Sequence, residues 1–521
     1  MTCKDHSAAP ARINAQLVLA ASVLAAASMG SPSAAWGLTA KNPSTAPHQA
    51  IQIKKGTTDQ GKLDWTPCAR ADISRFECAT LTVPLDRHGV QPGEVKLAVI
   101  RSPATGMPEE RIGSVFFNPG GPGGSGLDFF PLVYEQMPER MARHYDLVSW
   151  DPRGVGATLP ALGGCPMPWV ERPVIGAVAW KAVFEKHYGV VERANRECQK
   201  ANASYIAHLG TMNVIEDLDA LRRAVGDEKL AFAGYSYGTR IGSVYAQVYP
   251  EHMGPVLLDG AVDPTGSVKG FVAEGGRAMD EALGHYYQFE PEARRDIEAA
   301  WRLLSEKPVV LSDDARFTRW SFLDVALLKM TFQADMPKIG AMARKVIGLE
   351  QAAASERDAT LGLLRKELTE LGPNTDTGGM VAVVNCLDYA DRPKFAELAN
   401  IVDDNASRGG MFGGSLTSSY AAAGCVGFDF EPDPIPLARP IASEHPVLIG
   451  GATRDSRTPY QWAVQMARAF PNSRMLTYPG GNHVNWFISS ACLKSAMDAY
   501  FVDGRLPQVD AVCEYAPTPT R

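Results

Sequence analysis

No basic run, no CxxC pair, no HExxH motif and no apolar stretch of bilayer length occurs in this chain of 521 residues. Each absence removes a class of function. With 51 Lys+Arg against 58 Asp+Glu the net charge is −7, so no surface tracks phosphates and a nucleic-acid partner is excluded. The ten His are scattered, and without a ligand motif nothing predicts a metal centre. A membrane-spanning helix needs about 20 apolar residues. The run from Leu17 to Met29 is shorter, so no membrane span is expected. Charged residues at 21% and hydrophobic ones at 45% leave ample material for a core and exclude wholesale disorder.

What is present begins with an export signal. Lys4 and Arg12 charge the front, the Leu17–Met29 run follows, and Ser33-Ala34-Ala35 offers a small-residue cleavage site. Residues 1–35 are therefore read as a signal peptide, with a periplasmic or secreted destination. Cleavage would remove Cys3 and leave eight cysteines, an even number that favours disulfides in an exported chain. They fall into neighbouring pairs, Cys68 with Cys78, Cys165 with Cys198, Cys386 with Cys425 and Cys492 with Cys513. Sequential pairing is expected because each pair closes a local loop; the alternative is free buried thiols.

Strand-length apolar runs alternate with helical patterns through much of the chain. The strand candidates are Val95–Arg101, Ser114–Asn118, Leu147–Asp151, Leu230–Gly234, Val256–Asp259, Pro446–Gly450 and Arg474–Tyr478. Helical patterns cover Val214–Val225, Thr239–Tyr249, Tyr460–Phe470 and Ser490–Val502. The alternation implies βαβ units and a mostly parallel sheet flanked by helices, an α/β fold. For the helix after Arg457, Thr458 is a candidate cap, Pro459 suits the first position and Gln461 completes a capping box. Between about 265 and 440 the alternation gives way to helices, Ala278–Phe289, Pro291–Glu306, Trp320–Phe332 and Ala341–Leu371, then a Gly-rich loop from Gly409 to Gly414. Residues 265–440 read as a helical cap inserted between strands. The core would comprise 36–264 and 441–521. Such a cap would lie over the carboxyl ends of the strands, where open α/β sheets bind ligands.

Gly234-Tyr235-Ser236-Tyr237-Gly238 follows a strand and opens a helix. That is the context in which GxSxG forms a nucleophile elbow, a sharp turn that exposes the serine oxygen above the sheet. A serine nucleophile needs a base and an orienter, in the chain order Ser, Asp, His for this fold. Asp455 follows the Pro446–Gly450 strand, and His483 follows Arg474–Tyr478 in Gly480-Gly481-Asn482-His483. Both are placed to converge on Ser236, with Asp259 and Asp263 as rival acids. Asn118-Pro119-Gly120-Gly121-Pro122-Gly123-Gly124-Ser125-Gly126 supplies unobstructed backbone N–H groups. The expected oxyanion donors are the N–H groups of Gly121 and Tyr237. The same loop matches GxGxxG, with Asp151 closing the next strand, which is a dinucleotide fingerprint. Export and an otherwise unexplained triad weigh against that reading, so no cofactor is expected.

With these motifs in view, the chain resembles the exported tripeptidyl-aminopeptidase-type serine peptidases, related to the proline iminopeptidases of the α/β-hydrolase superfamily. The likeness rests on Cys78–Asp86, Asn118–Gly126, Asp151–Gly156, Gly234–Gly238, Leu257–Pro264, Asn385–Asp388 and Asp455–Pro459, and spans about Trp65 to Cys513. One departure is Ser456-Arg457, where relatives commonly carry a smaller, less charged pair. The resemblance implies an α/β-hydrolase fold, disulfide-bonded cysteines and a Ser236-His483-Asp455 triad. It also implies release of short peptides from a free N-terminus. Such a substrate presents an ammonium group, for which Asp388, beside Cys386 in the cap, is the candidate carboxylate. An esterase or lactone hydrolase acting on a small non-peptide substrate would use the same triad without needing that carboxylate. A binding protein on a hydrolase fold would have no reason to keep triad and oxyanion loop together.

Overall fold

The computed structural model describes residues 63–165, 180–312, 315–370, 376–407, 424–435, 440–441, 443–487 and 491–514. The signal-peptide reading and the Gly409–Gly414 loop lie outside them. Twelve strands occur among these residues: β1 Thr66–Pro67, β2 Glu77–Pro84, β3 Glu94–Ser102, β4 Gly113–Asn118, β5 Tyr145–Trp150, β6 Leu230–Tyr235, β7 Met253–Asp259, β8 Val309–Val310, β9 Arg316–Phe317, β10 Val447–Ala452, β11 Arg474–Tyr478 and β12 Ala511–Val512. The helices are α1 Gly126–Gln136, α2 Glu139–His144, α3 Trp180–Ala201, α4 Thr211–Ala224, α5 Tyr237–Val248, α6 Val268–Phe289, α7 Pro291–Glu306, α8 Arg319–Lys329, α9 Pro337–Gly348, α10 Ala354–Glu370, α11 Asp376–Asp388, α12 Phe395–Ser407, α13 Tyr460–Ala469 and α14 Ala491–Asp503.

Ten strands form one sheet in the order β1-β2-β3-β5-β4-β6-β7-β10-β11-β12. The pairs from β5 to β12 are parallel, and those of β1, β2 and β3 are antiparallel. Burial follows this division. In β4, β5, β6 and β10 every residue is buried, as strands covered on both faces require. Towards the end of β2, Leu81 and Val83 are buried while Thr80 and Thr82 are exposed.

Alternation along β4 sends Phe116 to one face and Val115 and Phe117 to the other. Phe116 packs with Val214, Leu218 and Leu221 of α4 and Ile241 and Val244 of α5. Val115 and Phe117 pack with Phe129 and Phe130 of α1 and Leu493, Met497 and Phe501 of α14. Between β7 and β10 the chain is mostly helical and builds a core of its own, from Met279, Leu283, Ile297, Phe322, Leu323 and Val325. This is the α/β-hydrolase architecture, a mostly parallel sheet between helices with a helical excursion after β7. Disulfides join Cys68–Cys78, Cys165–Cys198, Cys386–Cys425 and Cys492–Cys513, across sequence separations of 10, 33, 39 and 21 residues.

Two local expectations fail. Ala341–Leu371 is not one helix, because α9 ends at Gly348 and α10 begins at Ala354. Nor does Thr458 cap α13. The cap position is Pro459, without a side-chain hydrogen bond, because the Thr458 hydroxyl is committed elsewhere.

Candidate active site

Ser236 sits between β6 and α5 with φ 54° and ψ −122°, a conformation costly for a residue with a Cβ. The turn is held from both sides: the Ser236 N–H donates to the Asp259 carbonyl, and that of Thr239 to the Ser236 carbonyl. Its tightness explains the flanking glycine, since a Cβ on Gly234 would lie 2.3 Å from the Gly238 carbonyl oxygen.

Asp455 lies on the loop after β10 and His483 on the loop after β11. The two loops meet where the Arg454 N–H donates to the Gly480 carbonyl. His483 Nδ1 is 2.9 Å from Asp455 Oδ2 and 3.1 Å from Oδ1. The carboxylate also accepts the N–H groups of Arg457 and Thr458, at 2.7 and 2.9 Å, and the Thr458 hydroxyl at 2.9 Å. The Thr458 oxygen is in turn 3.2 Å from His483 Nδ1. These contacts fix the imidazole with Nδ1 toward the acid, and the buried Nε2 is left without a hydrogen-bond partner. Burial is nearly complete for all three residues: Ser236 is 2% exposed, Asp455 3% and His483 0%.

The rival acids are engaged otherwise. Asp259 accepts the Asn485 side-chain amide at 2.8 Å and the Trp486 N–H at 2.9 Å. Asp263 accepts the Thr265 N–H and hydroxyl, at 2.9 and 2.8 Å.

A pocket opens over Ser236, walled by Gly121, Pro122, Tyr237, Thr458, Arg457 and Arg240 together with Val262, Phe271, Val381, Asn385 and Trp462. The glycine-rich loop after β4 reaches it by packing on the turn at Ser236. Gly120 has φ 93°, and a Cβ there would lie 2.4 Å from the Tyr235 carbonyl oxygen and 2.9 Å from the Tyr237 nitrogen. The aromatic wall is Phe271 stacked on Trp462, centroids 5.7 Å apart. The Trp462 indole N–H donates to Glu274 Oε2 at 2.6 Å. Burial pushes the Glu274 carboxyl above its ordinary range, and Asp263 adds to the shift. Burial also brings the Arg457 guanidinium down to about 10, against the pull of Asp455. Among the described residues no cluster of His, Cys, Asp and Glu could hold a metal ion.

The sequence placed Asp388 as an ammonium anchor, and the structure corrects this. Asp388 Oδ1 accepts the Thr211 N–H, while Oδ2 accepts the Thr211 hydroxyl and Arg240 Nη1, at 2.7 and 2.9 Å. Its carboxylate is buried and paired with Arg240, and Asp388 is not among the residues that wall the cavity. Arg240 also donates to Asn385 and Tyr389. Thr458, Arg240 and Glu274 were missed by sequence reasoning. The position of Thr458, three residues after Asp455, was the one available signal, and it was taken for a helix cap.

Comparison with known proteins agrees with this architecture. Residues 113–279 match the family described as alpha/beta hydrolase fold, and residues 411–513 the family described as TAP-like protein. The chain is 30% identical over 492 residues to serine protease Hip1 of Mycobacterium tuberculosis, covering 87% of this chain and 91% of that protein. This chain belongs to the tripeptidyl-aminopeptidase-type serine peptidases of the α/β-hydrolase superfamily. It is 27% identical over 485 residues to the tripeptidyl aminopeptidase of Streptomyces lividans, covering 88% and 87% of the two chains. Carboxylesterase B of M. tuberculosis is 28% identical over 487 residues, covering 86% and 89%. As a member of this family, the protein is a serine hydrolase.

Proposed function

We propose that the protein is an exported exopeptidase that releases tripeptides from free N-termini through a Ser236-His483-Asp455 triad. The observation that carries this is the His483 imidazole, locked on Asp455 with Nε2 unpartnered, beside a cavity lined by Ser236 and the oxyanion loop. Ser236 Oγ attacks the scissile carbonyl carbon while His483 Nε2 takes its proton. The oxyanion rests on the N–H groups of Gly121 and Tyr237. Collapse breaks the C–N bond, and His483 returns the proton to the departing amine. Water then attacks the acyl-enzyme by the same route and frees the peptide and the serine.

In this reading residues 1–35 are the signal, 36–264 and 441–521 the catalytic core, and 265–440 the cap. The four disulfides support an oxidising destination. The ammonium of the substrate, mostly charged at neutral pH with a pKa of about 8, is held by Glu274. Its carboxylate accepts the Trp462 indole N–H, and Asp263 adds negative charge nearby. A second reading, an esterase on a small acyl substrate, is favoured by the likeness to a protein named carboxylesterase.

The test is hydrolysis of matched chromogenic substrates: one-, two- and three-residue amides with free N-termini, the acetylated three-residue amide, and a simple acyl ester. The free three-residue amide should turn over best and the acetylated one poorly. Glu274→Gln should shrink that discrimination by about tenfold to a hundredfold. Turnover of the ester alone would establish the second reading instead.

A further inference from the structure

The His483 loop has little stiffness of its own. Two glycines, Gly480 and Gly481, precede the Asn482-His483 pair, and Val484 follows with φ 65°, a strained value for a β-branched residue. Something outside the loop must hold it, and much of that comes from one stretch of the helical region. The end of α8 and the turn after it, residues 327–333, bind both loops that carry the His–Asp pair.

On the His483 side, the His483 N–H donates to the Thr331 carbonyl at 2.8 Å. The Gln333 N–H donates to Asn482 Oδ1 at 3.0 Å, and Gln333 Oε1 accepts the Gly481 N–H at 2.8 Å. On the Asp455 side, the Ser456 hydroxyl donates to the Met330 carbonyl at 2.9 Å. Arg457 Nη2 donates to the Leu327 carbonyl and, at 3.0 Å, to the Thr331 hydroxyl. Thr331, Ser456 and His483 are each no more than 2% exposed, so water does not compete for these bonds.

We propose that residues 327–333 are a positioning element of the catalytic site, and that Gln333 sets the placement of His483 relative to Ser236 through Gly481 and Asn482. The claim rests on the triad reading above. The cap helices are then part of the catalytic frame, because moving this stretch moves both the base and its orienting acid. Gln333 touches no reacting atom in this account; it acts through the loop.

The experiment compares Gln333→Ala with Gln333→Glu in the full-length protein, using the free three-residue amide and its melting temperature. Gln333→Ala removes the acceptor for Gly481, while Gln333→Glu retains one. A misplacement of the base by about 1 Å costs on the order of a hundredfold in rate. The expected result for Gln333→Ala is a fall in kcat of roughly tenfold to a hundredfold, KM within about twofold, a displaced acid limb of the kcat–pH profile and a near-native melting temperature. Gln333→Glu should restore most of kcat. Wild-type kcat and pH profile in Gln333→Ala, or a loss confined to KM, would overturn the proposal. If Gln333→Ala fails to fold, Ser456→Ala, which removes the bond to Met330, must show the same kcat-selective loss; wild-type kcat there would equally overturn it. Ser236→Ala separates the two claims: turnover close to wild type in it sinks the triad reading, whereas a Ser236→Ala slowed by orders of magnitude beside a wild-type Gln333→Ala sinks this one alone.

Discussion

Val484 holds its positive φ because Asp259 grips the two residues that follow it, accepting from the Asn485 amide and the Trp486 N–H. Asp259 is fully buried, and burial pushes its carboxyl up to about 6, opposed by these hydrogen bonds and by His483. The folded state therefore favours the protonated form. That contribution to stability is fully present below the ordinary value of 3.8 and is lost as pH rises through about 6. Asp259→Asn is neutral throughout and has no such dependence. Urea unfolding of both proteins at pH 7 and pH 5 should show the wild type gaining about 1 kcal/mol on the variant at the lower pH. Parallel behaviour would place the titration elsewhere. Sequence alone singled out Ser236, Asp455 and His483, because each stands at a strand end in a fixed chain order. It misjudged Asp388 and Thr458, whose roles depend on partners far along the chain: Arg240 is 148 residues from Asp388, and His483 is 25 from Thr458.

Between β4 and α1, the glycine-rich loop, proposed above to bind the oxyanion, packs on the turn at Ser236. Gly120→Ala would drive a methyl group into the Tyr235 carbonyl, and the loop must retreat from Tyr237. A fall in kcat on the order of 10²–10³ is expected, the cost of losing one oxyanion donor. Circular dichroism should stay unchanged; wild-type kcat would show that the loop is not what binds the oxyanion. The strands of the sheet centre were legible because each carries a short, largely apolar run, as in Ser114–Asn118 and Leu230–Gly234. The short β1 and β12, two residues each, carry no such signal. In the helical region, residues of helical character continue across the break between α9 and α10. There the chain bends so that Ile339, Met342, Ala343 and Val346 of α9 and Leu364 of α10 share one core.

At the scale of the whole molecule, the parallel sheet fixes three strand ends and the helical region closes over them, bound to two of the three loops through residues 327–333. Disulfides brace the periphery: Cys386–Cys425 holds the end of α11, whose Val381 and Asn385 wall the cavity. The alternation of strands and helices conveyed the first part of this arrangement. The second depends on hydrogen bonds spanning more than 120 residues, such as Ser456 to Met330, which no local pattern records. The account turns on Ser236 being the nucleophile, and reaction with a serine-directed fluorophosphonate, followed by peptide mass spectrometry, tests it most directly. The account predicts one adduct, on Ser236, formed slowly in His483→Ala and absent in Ser236→Ala. An adduct on another residue, or an active enzyme that takes none, would contradict it.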